Sequence, residues 1–205
     1  MAVDVGHYRE KPGVISATGR PEFDYNLELA VQVANELRAR GLTVRMIGER
    51  GDYAELHHRT RDAKGADLFV SIHHDSVQER YLAVASKFAG YSLFVSRRNP
   101  RAKEALACAS AIGERLRAAG FTASRYHADP VLGESRPFAD EANGVHWYDN
   151  LAVGHTASMP SVLVEAGVIV NRDEEARMRD PKVQAAIATA VAEGAARCLG
   201  SSTSR

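Results

Sequence analysis

Two short runs constrain this chain more than anything else in it. Residues 67–72 read Asp-Leu-Phe-Val-Ser-Ile, and residues 161–164 read Ser-Val-Leu-Val. Both are nearly all apolar and too short for helices, the pattern of strands buried on both faces of a sheet. Between such runs lie segments of helical period. Residues 24–40 place Leu27, Ala30, Val31, Ala34 and Leu37 three and four apart, with Gly41 where a C-terminal cap belongs. Residues 2–5, 43–47 and 91–95 read as further strands; 54–64 and 100–119 read as helices stopped by Gly65 and Gly120. Asn171 followed by Glu174 has the form of a capping box for a short helix. Asp180-Pro181 then supplies an N-cap and a first-turn proline for a last helix, with Val183, Ala186, Ile187, Ala190, Val191, Gly194 and Cys198 on its apolar face.

This alternation predicts a single α/β domain over residues 1–200, with helices on both faces of the sheet and a disordered polar tail at 201–205. Residues 126–150, with Pro130, Gly133, Pro137 and Gly144, match no regular pattern and read as a long functional or mobile loop. With 26 Lys+Arg against 26 Asp+Glu in 205 residues, the net charge is 0. That excludes a nucleic-acid partner bound through a basic excess, and a polybasic membrane anchor. The apolar runs fall far short of the roughly 20 residues of a membrane span. Cys108 and Cys198 read as two buried structural thiols. No signal peptide follows Met1, so the expectation is either a cytoplasmic protein or a trimmed mature domain.

In α/β sheets, sites form outside the carboxyl ends of the strands. His7 follows the strand at 2–5, His73 the strand at 67–72 and Glu165 the strand at 161–164, while Glu22 precedes the helix at 24–40. Two imidazoles and a carboxylate are a zinc ligand set that leaves one position open. A second, unligated carboxylate is the base that metal-assisted hydrolysis needs. Taken alone, each residue has a plainer reading: a surface histidine, or a helix-start carboxylate favoured by the dipole. Glu165 resists it, because a carboxylate after four buried residues needs a partner or a task. His74 points away from whatever His73 faces. His57-His58 belongs to a solvated helix face, and His127, His146 and His155 are scattered. No dinucleotide fingerprint, phosphate loop or nucleophile elbow is present.

Four ordered motifs carry a resemblance. They are Val3-Asp4-Val5-Gly6-His7; Glu22 with Asn26 and Leu29-Ala30; Ser71-Ile72-His73; and residues 160–167, Pro-Ser-Val-Leu-Val-Glu-Ala-Gly, with Asn171 and Glu174-Glu175 behind them. From residue 2 to about 198 the chain resembles the zinc-dependent N-acetylmuramoyl-L-alanine amidases, cell-wall amidases of bacteria and their phages. The resemblance implies a mixed, mostly parallel sheet of about six strands. It implies one Zn2+ held by His7, Glu22 and His73, with Glu165 catalytic. The implied reaction hydrolyses the amide between N-acetylmuramic acid and L-alanine in peptidoglycan. The implied partners are the peptidoglycan substrate and a regulatory activator protein, and the implied location is the periplasm or cell wall. Some members of the family are held inactive by a segment inserted near this chain's 126–150. Glu134, Asp140 and Glu141 are therefore candidate occluding ligands, or else solvated walls of a substrate groove. The chain departs from the commonest family pattern in Tyr8-Arg9-Glu10, where glycines follow the first His, and in Asp75, where Asn stands. The competing readings are a zinc peptidase acting within the stem peptide and a non-catalytic peptidoglycan-binding module.

Overall fold

The computed structural model describes residues 1–202. The last three positions of the expected tail, 203–205, lie outside the described residues. The centre of the fold is a parallel block of four strands: β1 (Ala2–Val5), β2 (Arg45–Ile47), β3 (Phe69–Asp75) and β7 (Ser161–Val168), in the order β2-β1-β3-β7. β4 (Ser92–Val95) pairs antiparallel with β7, and β6 (Val145–Trp147) continues the sheet parallel to β4. β5 (Phe138–Asp140) closes the edge antiparallel to β6. Among the described residues the sheet therefore has seven strands, where about six were expected. Five of them match strands read from the sequence, and β5 and β6 come from the segment expected to be irregular. Its strands are three residues each, too short to show alternation, although Asn143-Gly144 between them is a hairpin-turn signal.

Strand alternation sorts the core into two layers. Val3, Val5, Val70, Ile72, Val162 and Val164 face α1 (Glu22–Ala39), α3 (Ala102–Ala118) and α6 (Pro181–Ser202). Ala2, Phe69, Phe94 and Leu163 face the other way, onto Ala63, which follows α2 (Leu56–Asp62), and onto Val153 of α4 (Ala152–Thr156). The buried stripe of α1 runs through Phe23, Asn26, Leu29, Ala30, Val33, Ala34 and Leu37. Val31, expected on it, is exposed. Asn26 takes a core position because it hydrogen-bonds there, which hydrophobic periodicity cannot register.

The short helix α5 (Arg172–Met178) is capped by Asn171, whose side chain accepts from the Asp173 amide at 3.0 Å. The expected capping box is only half realised, since Glu174 turns away to accept from the Gly90 amide at 2.8 Å. Asp180 caps α6 through the Lys182 amide at 2.8 Å. That helix reaches Ser202, two residues into the expected tail. No described helix is long and apolar enough to cross a membrane.

The cysteines correct the sequence reading. Cys108 of α3 and Cys198 of α6 form a disulfide, with Cα atoms 5.1 Å apart and a sequence separation of 90. The two helices pack side by side on one layer, a proximity that no spacing in the sequence reveals. In the chain-entropy description, closing a loop of that length stabilises by roughly 4–5 kcal/mol, and native disulfides typically contribute 2–4 kcal/mol. We expect the double substitution Cys108→Ala/Cys198→Ala to lower the urea unfolding free energy by about 2–4 kcal/mol with the circular dichroism spectrum unchanged. An unfolding midpoint insensitive to reductant would mean that the thiols are not paired.

Candidate metal centre

The strand order reverses between β1 and β3: β2 lies to one side of β1, and β3 and β7 to the other. At such a switch point, the loops leaving the carboxyl ends of the strands diverge and open a crevice. Gly6 and His7 leave β1 there, and His73 is the fifth residue of β3. His73 and Glu165 are direct register partners, so their side chains share one face of the sheet. That face is the α2/α4 side. His74 points to the opposite face, where Nδ1 meets Asn26 Oδ1 at 2.9 Å.

Glu22 is the first residue of α1 and is buried, with its carboxylate turned inward. Its Oε2 lies 3.0 Å from His7 Nε2, and its Oε1 3.1 Å from His73 Nδ1. Asn26 Nδ2 donates to Oε1 at 3.0 Å, and the amides of His74 and Val14 each reach a carboxylate oxygen at 3.3 Å. Burial alone would raise the proton affinity of Glu22. The hydrogen bonds and charge of the two imidazoles outweigh it and hold the carboxyl well below the usual range. Two glycines make the room. A Cβ on Gly6 would overlap the His73 ring, and one on Gly13, where φ is +80°, would strike Glu22 and His7. His7 itself takes a left-handed backbone, φ 65°, uncommon for a residue with a side chain.

One donor atom each from His7, Glu22 and His73 lies within 4.8 Å of the others, the one such group of metal-binding type among the described residues. Two imidazole nitrogens and one carboxylate oxygen are a donor set that zinc accepts, and the carboxylate carries the supporting hydrogen bonds typical of a metal ligand. The residues therefore fit the ion that the resemblance implies.

Beside the triad stands Glu165. Its Oε2 is shielded from solvent and has no hydrogen-bond partner among the described residues. Burial first, then the negative charges of Asp75 and Glu22, push its carboxyl well above the ordinary value. Next to His7 and His73 opens a largely apolar cavity of about 480 Å³, walled by Leu56, Tyr148, Leu151 and Leu163.

One cluster escaped the sequence reading. Asp75 Oδ2 accepts from the Tyr126 hydroxyl and pairs with His127 Nε2 at 2.7 Å, while His127 Nδ1 pairs with Glu134 at 2.9 Å. These four residues come from β3, the 3-10 turn Tyr126–Ala128 and the irregular segment after it, so spacing held no signal; only the departure at Asp75 hinted at it. The structure does not bring the acidic residues of 126–150 to the triad. Glu134 is held by His127, Glu141 by an exposed ion pair with Arg125, and Asp140 by Asn143, 2.7 Å from its Nδ2.

A family model described as N-acetylmuramoyl-L-alanine amidase matches residues 1–197. The chain is similar to the N-acetylmuramoyl-L-alanine amidase AmiA of Escherichia coli strain K12, 28% identical, covering 95% of this chain and 74% of that one. It is also 28% identical to AmiC of Neisseria meningitidis serogroup B, covering 98% of this chain and 53% of the relative. Among solved structures, the amidase Ami1 of Mycobacterium smegmatis superposes with a TM-score of 0.80 at 22% identity, over 98% of this chain and 96% of that one. The CwlD amidase of Clostridioides difficile, in complex with the GerS lipoprotein, gives 0.74 at 21%, over 98% of each chain. At these identities the structural likeness speaks for the fold.

The buried His127 yields a pH prediction. Burial alone would lower its pKa from 6.5, but the charges and hydrogen bonds of Asp75 and Glu134 outweigh that and raise it to about 8. A folded-state pKa above the unfolded one gives stability that is complete below 6.5 and lost as the pH rises through about 8. The stability difference between wild type and His127→Gln, measured in metal-free protein by urea unfolding, should shrink by about 2 kcal/mol between pH 6 and 9. Parallel curves would mean that His127 is uncharged in the folded protein.

Proposed function

Because the chain belongs to the N-acetylmuramoyl-L-alanine amidase family, we propose that it hydrolyses the amide between N-acetylmuramic acid and the first L-alanine of peptidoglycan stem peptides, with one zinc ion held by His7, Glu22 and His73. The observation that carries this reading is the convergence of those three donors within 4.8 Å, with the unpartnered Oε2 of Glu165 beside them. When bound, zinc lowers the pKa of water to about 7 and acts as a Lewis acid towards a carbonyl oxygen.

The chain's own residues supply the rest. Glu165 Oε2 has no competing hydrogen bond among the described residues, so it is free to take a proton from the attacking water as the oxygen adds to the lactyl carbonyl carbon. Its raised proton affinity makes it a stronger base than an ordinary carboxylate, and a dication held nearby would lower that affinity. The same carboxyl then delivers the proton to the L-alanine nitrogen as the C–N bond breaks. A single residue serves as base and then acid, and no covalent intermediate is required. The apolar cavity next to His7 and His73 gives the substrate room alongside the scissile bond.

Two extensions follow from the same reading. Peptidoglycan lies outside the cytoplasmic membrane, and the Cys108–Cys198 disulfide suits an oxidising compartment, so we place the enzyme in the periplasm or cell wall. A protein activator is also part of the proposal, supported by the CwlD neighbour solved with a lipoprotein.

His7→Ala, Glu22→Ala and His73→Ala should each lose zinc by elemental analysis while staying folded. Glu165→Gln should keep wild-type zinc content and lose roughly 10²–10⁴-fold in rate, the usual cost of removing a general base. Mass spectrometry of digested peptidoglycan should show intact stem peptides released from unsubstituted glycan. Cleavage within the stem would make the enzyme a peptidase, and a wild-type rate in Glu165→Gln would remove Glu165 from the chemistry.

A further inference from the structure

Arg59 of α2 is among the largest fully buried side chains of the protein. Its Nε has no partner among the described residues, so the two terminal nitrogens carry all the bonds that offset the cost of burying the charge. Its Nη1 donates to Asp4 Oδ1 at 2.7 Å and to the Val5 carbonyl at 2.5 Å. Its Nη2 donates to the His7 carbonyl and, at 3.1 Å, to that of Tyr53. Asp4 is fixed in turn by the Ser71 hydroxyl, 2.6 Å from its other oxygen. Asp4 and Ser71 are register partners on β1 and β3.

The pattern of acceptors is informative. Charge neutralisation needs only Asp4, yet three carbonyls also converge on the guanidinium. Two of them, Val5 and His7, flank Gly6, where β1 has ended and the chain turns to present its histidine. His7 is one of two residues other than glycine with positive φ among those described. Such a backbone is strained and persists only where its surroundings over-determine it. A planar, doubly forked cation meets two carbonyls of one turn at a fixed separation, which an ammonium cannot do.

We propose that Arg59 is a positioning residue for the metal centre. It clamps the Val5 and His7 carbonyls and thereby holds the left-handed turn that aims His7 Nε2 at Glu22. The assignment rests on the zinc reading above, and it concerns the backbone behind a ligand rather than a ligand.

Arg59→Lys is the direct test, because lysine keeps the charge opposite Asp4 but loses the fork. Zinc affinity is measured by chelator competition on the full chain, and cobalt(II) serves as a spectroscopic probe of ligand geometry. Arg59→Lys should bind zinc about 10–100-fold more weakly than wild type, the range for loss of a residue that orients a ligand. Its cobalt absorption bands should shift as well. A merely structural role predicts instead a lower unfolding midpoint in chelator with affinity and cobalt spectrum unchanged. If Arg59→Lys does not fold, Asp4→Asn/Arg59→Met leaves no unpaired buried charge and should show the same weakening. Wild-type affinity in a folded variant overturns the clamp alone, whereas wild-type protein that takes up no zinc overturns the zinc reading and the clamp with it.

Discussion

Glu22 sits almost wholly out of water with an imidazole against each of its carboxylate oxygens. An isolated carboxylate at that depth would cost several kcal/mol, so the surroundings of the first turn of α1 answer to it. Asn26 stands one helical turn on and bonds both Glu22 and the Gly6 carbonyl, which ties the helix to the end of β1. Gly13 and Gly6 leave the space that Glu22 and the His73 ring fill. The carboxylate thus joins three segments distant in sequence, the turn after β1, the start of α1 and the end of β3, and defines where a cation belongs.

The two layers of the fold divide the labour around that point. On one side of the sheet, α1, α3 and α6 build the larger core, and a disulfide joins two of them. On the other side, α2 and α4 cover the sheet with a smaller cluster, and a cavity lined in part by both helices opens beside His7 and His73. Arg59 reaches from this thinner layer to the turn that carries His7. Chemistry and packing therefore meet on the α2/α4 face, while the opposite face supplies most of the buried apolar surface.

The outline of the site was legible because a polar residue that ends a buried apolar run is conspicuous without any knowledge of the fold. His73 and Glu165 stand out for that reason, and the motifs around them carry a family resemblance that the family model bears out. The strands proved longer than their apolar cores, reaching Asp75 and Val168, because parallel pairing continues past the point where hydrophobicity ends. Other features depend on contacts that no local pattern encodes. Asn26 looks like a surface residue by hydropathy, and Arg59 like part of a charged helix face, yet both are buried through hydrogen bonds made across the chain. The Asp75–His127–Glu134 cluster and the disulfide likewise join residues from separate segments, so only the fold could bring them together.

The central claim is that His7, Glu22 and His73 form one zinc site at the carboxyl edge of the sheet. Anomalous diffraction at the zinc edge from crystals grown with equimolar zinc tests it most directly. A single peak is expected at about 2.0–2.1 Å from one nitrogen of each histidine and about 2.0–2.2 Å from a Glu22 oxygen. A peak on the Asp75–His127–Glu134 cluster instead, or none within the crevice, would contradict it.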